Sequence, residues 1–236
     1  MTDDPYRWLE AVANRREYVQ AQLKGGTPVF AASLREGVLL LGVGAGQGKV
    51  FELFDRHALA GLGHPADLEK LRQAAIDAAH LEAFTRAPED VTLRRLVSYG
   101  LGPQLKAAFE QIFAAPFLVR LLLAEAGAAP AQDVLVRLAY DGTFRLQHGG
   151  VLVAADDPEA EAAAQDWLAK QALEELAPAE AAHRLLECWW CLREKQPPGT
   201  AGAAEGWRKA TEGKVIEAAV VGRGSGRDAY RPLAVT

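Results

Sequence analysis

The feature that most constrains this chain is a punctuated run of short β-prone segments between Gly25-Gly26 and Gly63. Residues 28–33, 37–43, 49–54 and 57–62 are too short for globular helices and are separated by turn chemistry. Val29, Phe30 and the run from Val38 to Leu41 are apolar at successive positions, as in a strand covered on both faces. Such strands need a layer on each side, and the rest of the chain offers one. Strand runs alternate with helix pairs, a pattern that predicts sheet packed on sheet with helices outside.

Residues 5–24 read as the leading helix. Asp4 suits an N-cap and Pro5 the first turn. Trp8, Val12, Val19 and Leu23 make an apolar stripe, and Gly25-Gly26 ends the helix. Helices are also expected over 67–84 and 90–113, the latter kinked at Gly100-Leu101-Gly102-Pro103. Strands follow at 117–124 and 134–140, then an Asp141-Gly142 hairpin turn and a short strand at 151–154. Residues 158–176 and 178–193 read as helices and 196–205 as a surface loop. Strands at 215–221 and 229–235, joined by a link from Gly222 to Gly226, complete a single domain over 1–236.

Several function classes fall away. The sequence GVGAGQGK resembles a phosphate loop, but Val43 stands where the first glycine belongs, Val50 where Ser or Thr belongs, and a strand follows. No nucleotide or other cofactor is expected. No apolar run reaches the roughly 18 residues of a membrane span. The start of the chain is acidic, with no apolar signal region, and two cysteines among 236 residues fit a reducing compartment, so the expected location is the cytoplasm. A net charge of −5 and no basic run interleaved with aromatics argue against nucleic acid. The five histidines are scattered, so no metal is expected. Cys188-Trp189-Trp190-Cys191 has redox spacing but lies late on a helix, where buried thiols beside tryptophans are the plainer reading.

The order helix, double glycine, Thr27, hairpin, then Lys49 at a strand start resembles the opening of a proteasome subunit of the alpha, outer-ring type. Glu17-Tyr18, Lys24, Gly26-Thr27 and Gly37-Val38-Leu39-Leu40 carry the likeness. So do the run from Lys49 to Leu53, Asp55-Arg56, Leu71-Arg72, Asp90-Val91-Thr92, Tyr140-Asp141-Gly142-Thr143 and the closing VIEAAVVGRGSGRDAYRPL. The resemblance is diffuse, spans about residues 5–232 and is nearest the actinobacterial kind. The Tyr-Asp-Arg motif of archaeal tails is absent. The resemblance implies an α+β fold, the four-layer αββα sandwich of N-terminal-nucleophile hydrolases. It also implies a ring, heptameric in this family, whose contact is the helix 5–24. The implied partners are catalytic beta-type subunits, a hexameric ATPase activator and unfolded protein substrates.

Two site readings follow from that resemblance. In alpha rings a lysine matching Lys49 lies in a pocket between neighbours and pairs with the C-terminal carboxylate of an activating ATPase; Glu17, Gly61 and Leu62 match other pocket positions. The alternative is a self-compartmentalised threonine hydrolase with Thr27 as nucleophile after cleavage at Gly26-Thr27, assisted by Lys49. A hydroxyl needs a base, and the family's acid lies sixteen residues on, where this chain has Val43. No Ser-Gly-Gly…Asp pattern occurs near 196–207, and the serine-glycine turn is replaced by Ala154-Ala155-Asp156-Asp157. The favoured expectation is a chain with no catalytic residue of its own.

Overall fold

A computed structural model describes residues 5–224 and 229–235. The expected Asp4 cap and the Ser225-Gly226 end of the last link lie outside them. The elements in order are α1 (Pro5–Leu23), β1 (Val29–Leu34), β2 (Gly37–Gly44), β3 (Val50–Phe54), β4 (His57–Gly63), α2 (Pro65–Thr85), α3 (Leu93–Arg95), α4 (Gly102–Glu110), β5 (Val119–Glu125), β6 (Val134–Ala139), β7 (Phe144–His148), β8 (Val151–Ala154), α5 (Pro158–Leu168), α6 (Pro178–Arg193), α7 (Ala203–Ala210), β9 (Val215–Gly222) and β10 (Tyr230–Pro232). Two antiparallel sheets form, ordered β10-β9-β2-β1-β8 and β3-β4-β5-β6-β7.

Strand alternation builds the layers. Phe30, Ala32 and Leu34 of β1 pack with Leu185, Trp189 and Trp207 under α5, α6 and α7. Val29 and Ala31, pointing the other way, meet Ala58, Ala60 and Leu122 of the second sheet. The outer face of that sheet, through Leu59, Leu121 and Leu123, is covered by Leu68, Leu71, Leu101 and Leu105 of the α2-to-α4 layer. Three apolar cores thus separate four layers, and the expected αββα sandwich is present.

The departures are local. The expected helix over 90–113 is broken by a π-helical segment, Leu96–Leu101, between α3 and α4. Pro103 has no N–H for the preceding turn, and the Gly102 N–H instead reaches back to the Val97 carbonyl. The helix expected to run to 176 stops at Leu168, because Ala172 takes a left-handed conformation (φ 49°) before a short 3₁₀ turn. α7 begins inside the expected loop, anchored by the buried Trp207; Gly206 lets the backbone meet Trp190, whose ring would lie 2.4 Å from an added Cβ. The closing strand is shorter than expected, covering only Tyr230–Pro232.

Acid sensitivity follows from one buried carboxylate. Glu125, at the end of β5, accepts from the Leu93 N–H at 2.8 Å and lies 3.5 Å from His57 Nε2 and 3.4 Å from Arg56 Nη2. Burial pushes its carboxyl up, but His57, Leu93 and Arg56 together outweigh that and hold it below the usual range. A carboxyl lower in the folded state stabilises above its unfolded pKa and loses that contribution as pH falls through its folded one. Glu125→Gln should therefore cost about 1–3 kcal/mol at neutral pH. In urea titrations the gap from wild type should close on acidification; a gap independent of pH would contradict the assignment.

Candidate functional site

A cavity of about 480 Å³ opens where the end of α1 meets the ends of β1 and β2. Its lining includes Leu23, Gly26, Thr27, Gly44, Lys49, His64 and Lys214. The double glycine shapes its rim. Gly25 takes φ 82°, the Gly26 N–H returns to the Leu23 carbonyl at 3.0 Å, and the Gly25 N–H donates to Asp156 Oδ2 at 2.7 Å. The aspartate that replaces the expected serine-glycine turn thus fixes the loop ahead of Thr27.

Lys49 is held from below and laid flat. Its backbone N–H and that of Val50 donate to Glu217 Oε2 at 2.7 and 3.1 Å. Glu217 reaches them from β9, where it stands opposite Gly42 of β2. The lysine stem then runs along a trough made by two glycines. A Cβ on Gly42 would meet Lys49 Cδ at 3.4 Å, and one on Gly44 would meet its Cε at 3.3 Å. Burial lowers the ammonium's pKa from its ordinary value, and the charge of Glu217 offsets this in part. A partly desolvated cation at a cavity wall gains from an incoming carboxylate, which would replace lost hydration with an ion pair.

Thr27 sits in the same cavity but is set up differently. Its Oγ1 donates to the Val43 carbonyl at 2.7 Å, and Lys49 Nζ donates to the Thr27 carbonyl oxygen, at 3.4 Å. Val43 meets Thr27 through a carbonyl, which cannot take up a proton as a carboxylate would. The amine that would act as base is part of the Gly26–Thr27 peptide bond. The arrangement suits a turn, not proton abstraction.

The cavity unites Lys49 and Thr27 but not the other expected residues. Glu17 is on the exposed side of α1. Gly61 is buried, and an added Cβ would meet Leu68 of α2 at 2.3 Å. Leu62 packs beneath Gly26, its Cδ1 3.2 Å from the Cβ that glycine lacks. Glu217, His64 and Lys214 were missed. Glu217 had a signal, being the one charged residue in the apolar strand VIEAAVVG. His64 and Lys214 had none, since only the folded chain brings them together.

Elsewhere, Cys188 and Cys191 are free and buried, and burial pushes both thiols up, as inert core cysteines require. Among the described residues no three His, Cys, Asp or Glu side chains are grouped to hold a metal. Among them also, no helix is long and apolar enough to cross a membrane.

Two facing antiparallel sheets between helical layers, with a threonine entering β1 and a lysine entering β3, define the architecture of N-terminal-nucleophile hydrolases. Within that class the relatives are specific. A proteasome subunit alpha of Actinosynnema mirum is 31% identical over 228 residues, covering 95% of this chain and 81% of the relative. One from Pseudarthrobacter chlorophenolicus is 32% identical over 183 residues, covering 72% and 76%. No family model matches the chain. The chain belongs to the proteasome alpha-subunit family.

Proposed function

We propose that this chain is a non-catalytic alpha-type subunit, a single unit over residues 1–236. It forms the outer, heptameric ring of a cytoplasmic proteasome-like particle and admits unfolded protein to a catalytic ring of beta-type subunits. The observation that carries this reading is the state of α1. Its second half packs on its own fold, with Val19 and Leu23 buried between the sheets. Arg15 caps the end of α4, donating to the carbonyls of Ala108, Ile112 and Ala114 at 2.9, 3.2 and 2.7 Å. In its first half Val12 still packs against that core, but Trp8 is 46% and Leu9 63% exposed. A helix anchored at one end and apolar in the open at the other fits a contact with a neighbour.

Leu81 and Phe84 on α2, with Tyr99 on the π-helical segment, form a second exposed apolar set on a different layer. This set suits the catalytic ring. The cavity at Lys49 suits the terminal carboxylate of a hexameric ATPase activator. Glu17 would face that cavity from the ring contact, with Gly61 and Leu62 backing it from β4.

Intact-mass measurement of the purified chain separates this from the threonine-hydrolase reading. Retention of the Gly26–Thr27 bond, and an unchanged mass in Thr27→Ala, are expected. Loss of residues 1–26 in wild type but not in Thr27→Ala would overturn the proposal.

A further inference from the structure

Three arginines on neighbouring strands converge on a second cavity, which the site at Lys49 does not use. The register sets Arg137 of β6 directly opposite Arg145 of β7, and Arg120 of β5 opposite Ala139. Alternation puts all three on the face turned to the other sheet, since Leu122, Ala124 and Leu135 on that face lie in the inter-sheet core. Leu121, Leu123, Val136 and Leu138 look the other way. That sheet's last strand, β8, contacts β5 and β6, and β7 lies one strand further out. At this step the cavity opens, about 350 Å³, lined by Arg120, Arg137, Arg145 and Tyr140 among others.

The charges there do not balance. Glu161 of α5 is the one buried carboxylate in the lining, and it is fully engaged. It accepts from Arg137 Nη1, from Arg120 Nη1 at 3.4 Å and from the Ala155 N–H at 2.9 Å. Asp141, at the rim, faces Arg16 at 3.8 Å. Arg145 has no ion pair or hydrogen bond of its own among the described residues. Like charges directly opposite in a ladder are destabilising, and the single carboxylate of Glu161, shared by Arg137 and Arg120, leaves the positive charge of Arg145 uncompensated. The side chains of Arg120 and Arg137 are only 13% and 26% exposed, so water screens them weakly.

We propose that this cavity is an oxyanion site, taking a carboxylate or phosphate group between the guanidiniums of Arg137 and Arg145. Two arginines at opposed ladder positions, both lining the cavity, offer planar forks that match an oxyanion better than lysines would. The anion is either free in solution or an acidic side chain of a neighbouring copy. The second source rests on the ring reading; the first does not.

Thermal unfolding of the full chain in sodium phosphate, against sodium chloride at equal ionic strength, tests the first source. Wild type should be stabilised saturably. Arg145→Gln, at an exposed position, should bind phosphate about tenfold more weakly, which corresponds to about 1.4 kcal/mol. Arg184→Gln, on the exposed face of α6, should behave as wild type. Native mass spectrometry tests the second source: Arg145→Glu should shift the assembled species towards monomer while its unfolding temperature holds. Equal phosphate stabilisation in wild type and Arg145→Gln overturns the site. So does the absence of any phosphate effect together with normal assembly of Arg145→Glu. A wild type that never assembles fails the ring reading, and the phosphate titration alone then decides this one.

Discussion

Arg223→Met is expected to be the most destabilising single substitution outside the apolar cores, costing about 3–5 kcal/mol. Arg223 follows β9 and clasps the two sheets at one end. Its guanidinium donates to the Leu34 carbonyl, to the Arg35 carbonyl at 2.8 Å and to the Gly127 carbonyl at 2.9 Å. It also pairs in bidentate fashion with Asp133, at 2.6 and 3.1 Å. Leu34 ends β1 and Arg35 begins the β1–β2 turn of one sheet; Gly127 and Asp133 belong to the β5–β6 connection of the other. The Asp133 side chain is fully buried. Removing the arginine strands that carboxylate, with only the Gly127 N–H, at 2.8 Å, left to meet it among the described residues. The cost should therefore come mostly from an uncompensated charge, not from lost contact area. The pair Arg223→Met with Asp133→Asn separates these causes: the double variant should recover much of the stability, because no buried charge remains. Urea unfolding of the four proteins measures it. An Arg223→Met loss under about 1 kcal/mol, or a double variant worse than both singles, would contradict this account.

This clasp was not legible in the sequence, and the reason is physical. Arg223 and Asp133 are 90 residues apart and meet only because the sheets stack. The sandwich itself was legible, since each strand from Val29 to Gly63 declares itself by short apolar runs between glycines, and Asp141-Gly142 marks its own hairpin. Irregular helices were not. The π-helical segment arises from a missing donor at Pro103 and a wide turn that no periodicity reports. α7 was hidden by Ala and Gly, with one tryptophan as its one large inward side chain among the described residues. At the candidate site, Lys49 and Thr27 were readable through the family resemblance, which matched the residues leading into β3 and β1. Glu217 was readable in principle, as a lone carboxylate in an apolar strand. The trough formed by Gly42 and Gly44 needed the register of β2 against its neighbours. Trp8 shows the same limit from the other side: periodicity put it on the inward stripe of α1, yet it stands half in the open.

That exposure leads to the second large effect, which is on assembly. The double variant Trp8→Glu with Leu9→Glu should leave the chain folded and abolish the ring. Neither side chain belongs to any of the three cores, so unfolding in urea should shift by no more than about 1 kcal/mol. A buried aromatic anchor at an interface is typically worth about 2 kcal/mol or more. A closed ring uses one interface type at every contact, so the loss recurs around the whole circle. Deleting α1 entirely is a poorer test, because it would also remove the buried Val19 and Leu23 from the core and the Arg15 cap from α4. Phe84→Glu on α2, where the ring is 90% exposed, supplies the contrast. It should assemble into single rings as wild type is expected to, yet fail to stack on a catalytic ring when co-expressed with a beta-type subunit. Native mass spectrometry reads both outcomes. Rings from the α1 double variant would move the subunit contact elsewhere on the fold. Loss of rings in Phe84→Glu would make the α2 face, not α1, the surface that closes the circle.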